Sequence, residues 1–264
     1  MKKNWYKIEA KADESATVYI YDEIGYWGTT AKDFIREIDA LEASNITLRV
    51  NSPGGDVFDG IAIFNAIRNH PATVETQVDG LAASIASIIA MAGDTITIAK
   101  NAFFMVHNAW SMTAGNAEEM RKMADTLDKI DATMVKTYTD RTGQTQRSVR
   151  QMMADETWVS ADDAVALGFA DKITDEPGAK AAFDLSKFRN VPQGLSGETP
   201  VPTERNIEQL LRDAGVSRKA AMSAVAVIKG EGQRDSDEAE ALAKQLLAKM
   251  ETDNLTSKIK GAVH

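Results

Sequence analysis

From Thr17 to Ile173 the chain alternates short β-branched or apolar runs with segments of helical period, and few architectures accept that alternation. Residues 17–21, 45–50, 74–78, 95–99 and 103–107 read as strands, because Val, Ile, Thr, Tyr and Phe pack well on a pleated surface. Between them, residues 30–41 carry Phe34, Ile35, Ile38 and Leu41, and residues 58–69 carry Ile61, Ile63, Phe64 and Ile67, the spacing of helices with one apolar face. Strand and helix in turn predict an α/β fold: βαβ units around a largely parallel sheet, with right-handed crossovers.

Residues 81–92 are apolar and rich in Ala and Ser, too short for a membrane span of about 20 residues, and are expected to form a buried helix. A long helix is expected over 117–138, with Met120, Met123, Leu127, Ile130 and Met134 on one stripe, ending at Arg141-Thr142-Gly143. Shorter elements follow: a helix at 145–153, a strand at Trp158-Val159, a helix over 160–167 stopped by Gly168, and a strand near 170–173. The sheet domain is thus expected to span 1–175. Residues 176–203 shift to Pro, Gly, Ser, Asp and Glu and read as a flexible linker, and 204–264 as a helical tail for assembly or partner binding.

A net charge of −9 argues against a nucleic-acid binder, which shows a basic stripe. Cysteine is absent, so no disulfide, thiolate nucleophile or Cys-ligated metal is available, which fits a reducing cytoplasm. After Met1-Lys2-Lys3 the residues alternate polar and apolar instead of forming a signal-peptide core, so the expectation is a cytoplasmic protein with no membrane partner.

Three segments carry chemistry. Asp79-Gly80-Leu81-Ala82-Ala83-Ser84 runs from a strand into an apolar helix, and a serine at such a turn can present its hydroxyl to a cleft beside free helix N–H groups. Small residues packing a helix closely on a sheet would give the same pattern. Asn51-Ser52-Pro53-Gly54-Gly55-Asp56 follows a strand, and its adjacent glycines let backbone N–H groups approach a ligand, although a tight strand-to-helix turn reads the same way. Of the three histidines, His70 precedes Pro71 at a helix end and His264 ends the sequence, whereas His107 closes an apolar strand. Residues at the carboxyl ends of parallel strands converge on one crevice, so Ser84 and His107 can meet there as nucleophile and base. The orienting acid is less defined, because Asp162, Asp163, Asp171 and Asp175 cluster; Asp171 is flanked by Phe169-Ala170 and Ile173, which suggests partial burial.

In order and spacing, Asn51-Ser52-Pro53-Gly54-Gly55, Gly80-Leu81-Ala82-Ala83-Ser84, Met105-Val106-His107-Asn108, Thr142-Gly143-Gln144 and Val159-Ser160-Ala161 through Leu167-Gly168-Phe169-Ala170-Asp171 resemble the Clp proteolytic subunit (ClpP) over residues 17–175. The resemblance implies the ClpP/crotonase-like spiral of βαβ units, here with a helical C-terminal appendage, and a serine endopeptidase needing no cofactor or metal. It implies Ser84, His107 and Asp171 as the triad and the N–H groups of Gly54 and Ile85 as the oxyanion hole. It also implies protein or peptide substrates and a homo-oligomeric ring built through the 117–138 helix. Ala86 stands where the family usually has Gly, and Asn108-Ala109-Trp110 where it usually has Gln-Pro, so the pocket and groove are expected to differ. Residues 1–16 lack a match to the family's axial loops, which puts docking to an ATPase unfoldase in question. The linker and tail resemble phage head-maturation proteases, whose substrates are capsid or scaffold proteins. A crotonase-type acyl-CoA enzyme, which lacks a serine nucleophile, and a non-catalytic assembly protein are the competing readings.

Overall fold

The structure, a computed structural model, describes residues 4–11, 14–25, 29–175, 183–192 and 195. The chain divides into a first compact unit ending at Leu195 and a second, Ser196–His264, so the helices expected in the tail lie outside the described residues.

The elements follow in the order β1 (Tyr6–Ala10), β2 (Ser15–Tyr21), α1 (Ala31–Asp39), β3 (Asn45–Ser52), α2 (Val57–Asn69), β4 (Thr73–Ala83) and α3 (Ile85–Ala90). Then come β5 (Thr95–Ala99), β6 (Phe103–Val106), α4 (Ala117–Thr142), α5 (Gln146–Ala154), β7 (Thr157–Ser160), α6 (Ala161–Leu167) and β8 (Lys172–Thr174). The main sheet runs β1-β2-β3-β4-β5-β8, parallel except for the β1–β2 pair. The expected parallel α/β spiral is therefore present, with β1 as an antiparallel edge strand that the sequence reading did not assign.

Local chemistry explains the helices. The Asp56 carboxylate caps α2 by accepting the Phe58 and Asp59 N–H groups at 2.9 Å, and Asn116 caps α4 in the same way. Helix α4 stops at Gly143, which takes the left-handed conformation that closes a helix (φ +69°). Its Ile130, Met134, Val135 and Tyr138 are buried, but Met120 is exposed, so only the second half of the expected stripe packs on its own unit.

Strand β4 determines where the site forms. It is longer than expected, 11 residues, and changes partner midway: Glu75–Val78 pair with β5 and Leu81–Ala83 with β6. The segment 81–83, read from sequence as helix, is strand because it feeds this second branch, in which β6 also pairs antiparallel with β7. A small apolar cluster of Leu81, Ala83, Met105, Leu185 and Phe188 covers the branch. Leu185 and Phe188 lie within the stretch expected to be a flexible linker. Four prolines and three glycines punctuate that stretch, but its apolar residues pack on the strands, so the first unit does not end at Asp175.

Candidate active site

Ser84 directly follows β4, and its N–H donates to the Met105 carbonyl at 2.9 Å, continuing the β4–β6 ladder. Its backbone lies at φ +55° and ψ −131°, a conformation that costs a non-glycine residue about 1–3 kcal/mol and persists only where surroundings enforce it. The Ser87 N–H and hydroxyl both donate to the Ser84 carbonyl, at 3.0 and 2.5 Å, and the Ser87 Oγ also meets the buried Tyr138 hydroxyl at 2.6 Å. Ser87 thus braces the turn on which Ser84 sits.

The parallel register pairs Ala83 with Met105, so Ser84 and His107 emerge side by side at the carboxyl ends of β4 and β6. The His107 Nε2 lies 2.8 Å from the Ser84 Oγ. His107 is 7% exposed, and burial holds its pKa below the ordinary value; the Glu156 charge opposes that shift, while Lys187 and Arg189 add to it. Neutral at Nε2, the ring can accept the Ser84 proton.

Asp171, the acid expected from the sequence, does not stand beside His107. Asp171 directly precedes β8 at the amino ends of the parallel strands, where its Oδ2 accepts the Ile96 N–H at 2.6 Å and pairs with Arg141 at 2.5 Å. His107 lies at the opposite, carboxyl ends, so the fold holds Asp171 away from the imidazole. The β6–β7 register pairs Val106 with Thr157 and, continued by one residue, sets Glu156 opposite His107. Glu156 is 4% exposed at a left-handed turn (φ +50°), and its Oε1 accepts the N–H groups of Arg189 and Asn190 at 2.5 and 2.8 Å. Sequence reasoning passed over it, because Asp155-Glu156 looks like an ordinary solvated pair between a helix and a strand.

The Asn51-Ser52-Pro53-Gly54-Gly55 turn wraps around the nucleophile. The Asn51 Oδ1 accepts the Leu81 N–H at 3.1 Å where the β3–β4 register shifts. The Ser52 Oγ donates to the Asp22 carbonyl at 2.6 Å and accepts the Gly54 N–H at 3.2 Å. A Cβ on Gly54 (φ +94°) would stand 2.7 Å from the Ser84 Cβ, which is why glycine is required there. The Gly54 N–H expected for the oxyanion hole is thus already engaged, whereas the Gly55 N–H has no acceptor among the described residues. Ile85, the other expected donor, is the first residue of α3, so its N–H has no intrahelical acceptor.

A cavity of about 450 Å³ opens beside Ser84 and His107, its lining including the apolar Ile85, Leu127, Ile130 and Met134, the exposed Phe58 and the buried Phe188. An activated hydroxyl, a neutral imidazole and backbone donors beside an apolar cleft are the parts of a serine hydrolase that works by acyl transfer.

The family model described as Clp protease matches residues 1–177. Similar proteins include the ATP-dependent Clp protease proteolytic subunit of Streptococcus suis, 32% identical over 57% of this chain and 81% of the relative. The subunit of the same name from Deinococcus radiodurans is 27% identical over 65% of this chain and 92% of the relative. A third, subunit 2 of Synechococcus, is 29% identical over 58% and 80%. The chain belongs to the Clp protease family, and it is a serine-type endopeptidase. Among the described residues, no helix is long and apolar enough to cross a membrane.

Proposed function

We propose that the chain cleaves peptide bonds with Ser84 as nucleophile, His107 as general base and Glu156, in place of Asp171, as the carboxylate that stabilises the imidazolium. The observation that supports this best is the 2.8 Å contact between the Ser84 Oγ and the His107 Nε2 on a strained turn. His107 takes the hydroxyl proton as the Oγ attacks the carbonyl carbon, and the Gly55 and Ile85 N–H groups receive the oxyanion. The C–N bond then breaks and the amine leaves with the proton from His107. Water, activated by the same imidazole, hydrolyses the ester and restores Ser84. The apolar wall of Ile85, Leu127, Ile130 and Met134 favours an apolar side chain before the scissile bond.

The relatives' names, each an ATP-dependent proteolytic subunit, favour a degradative role in a homo-oligomer fed by an ATPase. The exposed first half of α4 is a suitable contact between copies. Residues 178–264, beyond the family match, favour a second reading, a phage head-maturation protease acting on capsid or scaffold proteins. Fluorophosphonate labelling read by intact mass on each separated oligomer tests the chemistry: wild type labels once and Ser84→Ala does not, and a wild type that stays unlabelled refutes it. Degradation of a folded substrate only with an ATPase supplied supports the first role, and ATPase-independent trimming of an assembly protein the second.

A further inference from the structure

We infer that the segment 185–190, which lies beyond the residues shared with the family, is part of the catalytic apparatus, with Phe188 the positioning residue that fixes the His107 imidazole. The inference rests on the serine-peptidase reading of the site. Phe188 is 6% exposed and stands edge-on to His107, with centroids 5.6 Å apart and planes at 79°. It meets Trp158 of β7 in the same way, at 5.8 Å and 80°, so it is wedged between the base and the strand that follows the proposed acid. Packed against the imidazole, its ring contributes to the burial of His107 and opposes rotation away from Ser84.

The segment is tied down around this contact. Lys187 pairs with Glu23 at 2.8 Å, and the Asn190 Nδ2 donates to the Asp155 carbonyl at 2.7 Å. The Arg189 and Asn190 N–H groups hold the Glu156 Oε1. Leu185 and Phe188 pack on Leu81, Ala83 and Met105, in the two strands that deliver Ser84 and His107. One short stretch therefore touches the base, the proposed acid and the walls between them. A merely structural clamp would need the apolar packing but not the ring against His107, and that difference is measurable.

The test uses the full chain with ¹³C-labelled histidine, reading the His107 ring titration by NMR and the acid limb of kcat/KM on a small peptide. The charges that act on His107 are Glu156, Lys187 and Arg189, and Phe188→Ala replaces none of these residues, though it removes the ring under the Lys187 ammonium, a contact Phe188→Val removes equally. It removes the burial that holds the imidazole neutral, so the ring titration and the acid limb should both move to higher pH. kcat should fall about tenfold or more as the ring loses its fixed orientation, with KM changed less. Phe188→Val, the milder variant, should move both in the same direction by less. Leu185→Ala loosens the same cluster without touching His107 and should lower stability while leaving the limb in place. Phe188 variants that titrate as wild type, or a Leu185→Ala shift equal to that of Phe188→Ala, overturn the inference. Should the peptidase reading fail, with Ser84 unlabelled by a fluorophosphonate, the ring titration still decides whether Phe188 sets the state of His107.

Discussion

Glu156→Gln separates the two candidate acids. The Gln carbonyl can still accept the N–H groups of Arg189 and Asn190, so the 183–192 segment should stay in place and only the charge beside His107 be lost. That charge favours the imidazolium, the form His107 would take in the proposed attack by Ser84. At a triad, a change from acid to amide costs up to about 10⁴-fold in rate, through the wrong tautomer and a destabilised imidazolium. Glu156 here acts on His107 through its charge, and no carboxylate hydrogen-bonds the ring among the described residues, so the expected loss is about 10²–10⁴-fold, or about 3–5 kcal/mol of transition-state stabilisation. Glu156 raises the His107 pKa, so its removal should also move the acid limb of kcat/KM to lower pH, opposite to the shift expected for Phe188→Ala. Asp171→Asn should keep turnover within a few fold and lower stability by about 1 kcal/mol, through its weakened links to Arg141 and the Ile96 N–H. Acylation rates from fluorophosphonate labelling, run on all three proteins across pH 5–9, provide the comparison. A Glu156→Gln enzyme with near-normal acylation beside an inert Asp171→Asn enzyme would refute the reasoning and restore Asp171.

Gly54→Ala should cut acylation by about 10²-fold, since its Cβ would collide with that of Ser84 at a backbone angle alanine avoids; labelling as fast as wild type would show that the turn can yield. Ser87→Ala should still label at Ser84, but lose about 1–3 kcal/mol in urea unfolding because the buried Tyr138 hydroxyl loses its partner. Burial lowers the His107 pKa and the neutral ring is the proposed base, so the acid limb of kcat/KM should lie below the ordinary histidine value of about 6.5. The same sign governs stability: the unfolded chain binds this proton first, so the His107 contribution should fall as pH drops through the unfolded value towards the folded one, as denaturant midpoints would show. A chain ending after Asp175 should lose peptide hydrolysis, whereas one ending after Leu195 should keep it; equal activity of the two would show that residues 183–192 are dispensable.

The parts of the site that depend on neighbours in sequence were legible, and those that depend on strand register were not. Ser84 and His107 each sit where an apolar strand ends, and a parallel α/β reading brings strand ends together. The apolar neighbours of Asp171 are indeed buried, with Phe169 at 0% and Ala170 at 3%, but its own side chain is 47% exposed. Flanking residues report on the strand, not on which end of it faces the cleft. Glu156 is set opposite His107 by an antiparallel pairing between β6 and β7, chain segments some fifty residues apart, and no local pattern encodes that. The 183–192 segment was hidden differently: its turn-forming composition outweighed Phe183, Leu185, Phe188 and Val191, which pack on the β6–β7 branch.

Glu156 and the 183–192 segment both lie with the second branch of the sheet, and its existence depends on how β4 changes partner. The change falls at Asp79-Gly80, between the residues paired with β5 and those paired with β6. Asp79 is 1% exposed there, yet it is fully engaged: Arg49 of β3 grips both its oxygens, at 2.6 and 2.9 Å, and the Tyr21 hydroxyl of β2 donates to it at 2.5 Å. A carboxylate buried without such partners would cost several kcal/mol, so the departure point of β4 is fixed to two neighbouring strands by charge as well as by the backbone ladder. From that fixed point only four residues separate Asp79 from Ser84. The ladder to β6 over Leu81–Ala83 carries the alignment forward, and the strained backbone of Ser84 is the last step in it. A buried ion pair on the main sheet thus anchors the strand from which Ser84 is presented to His107.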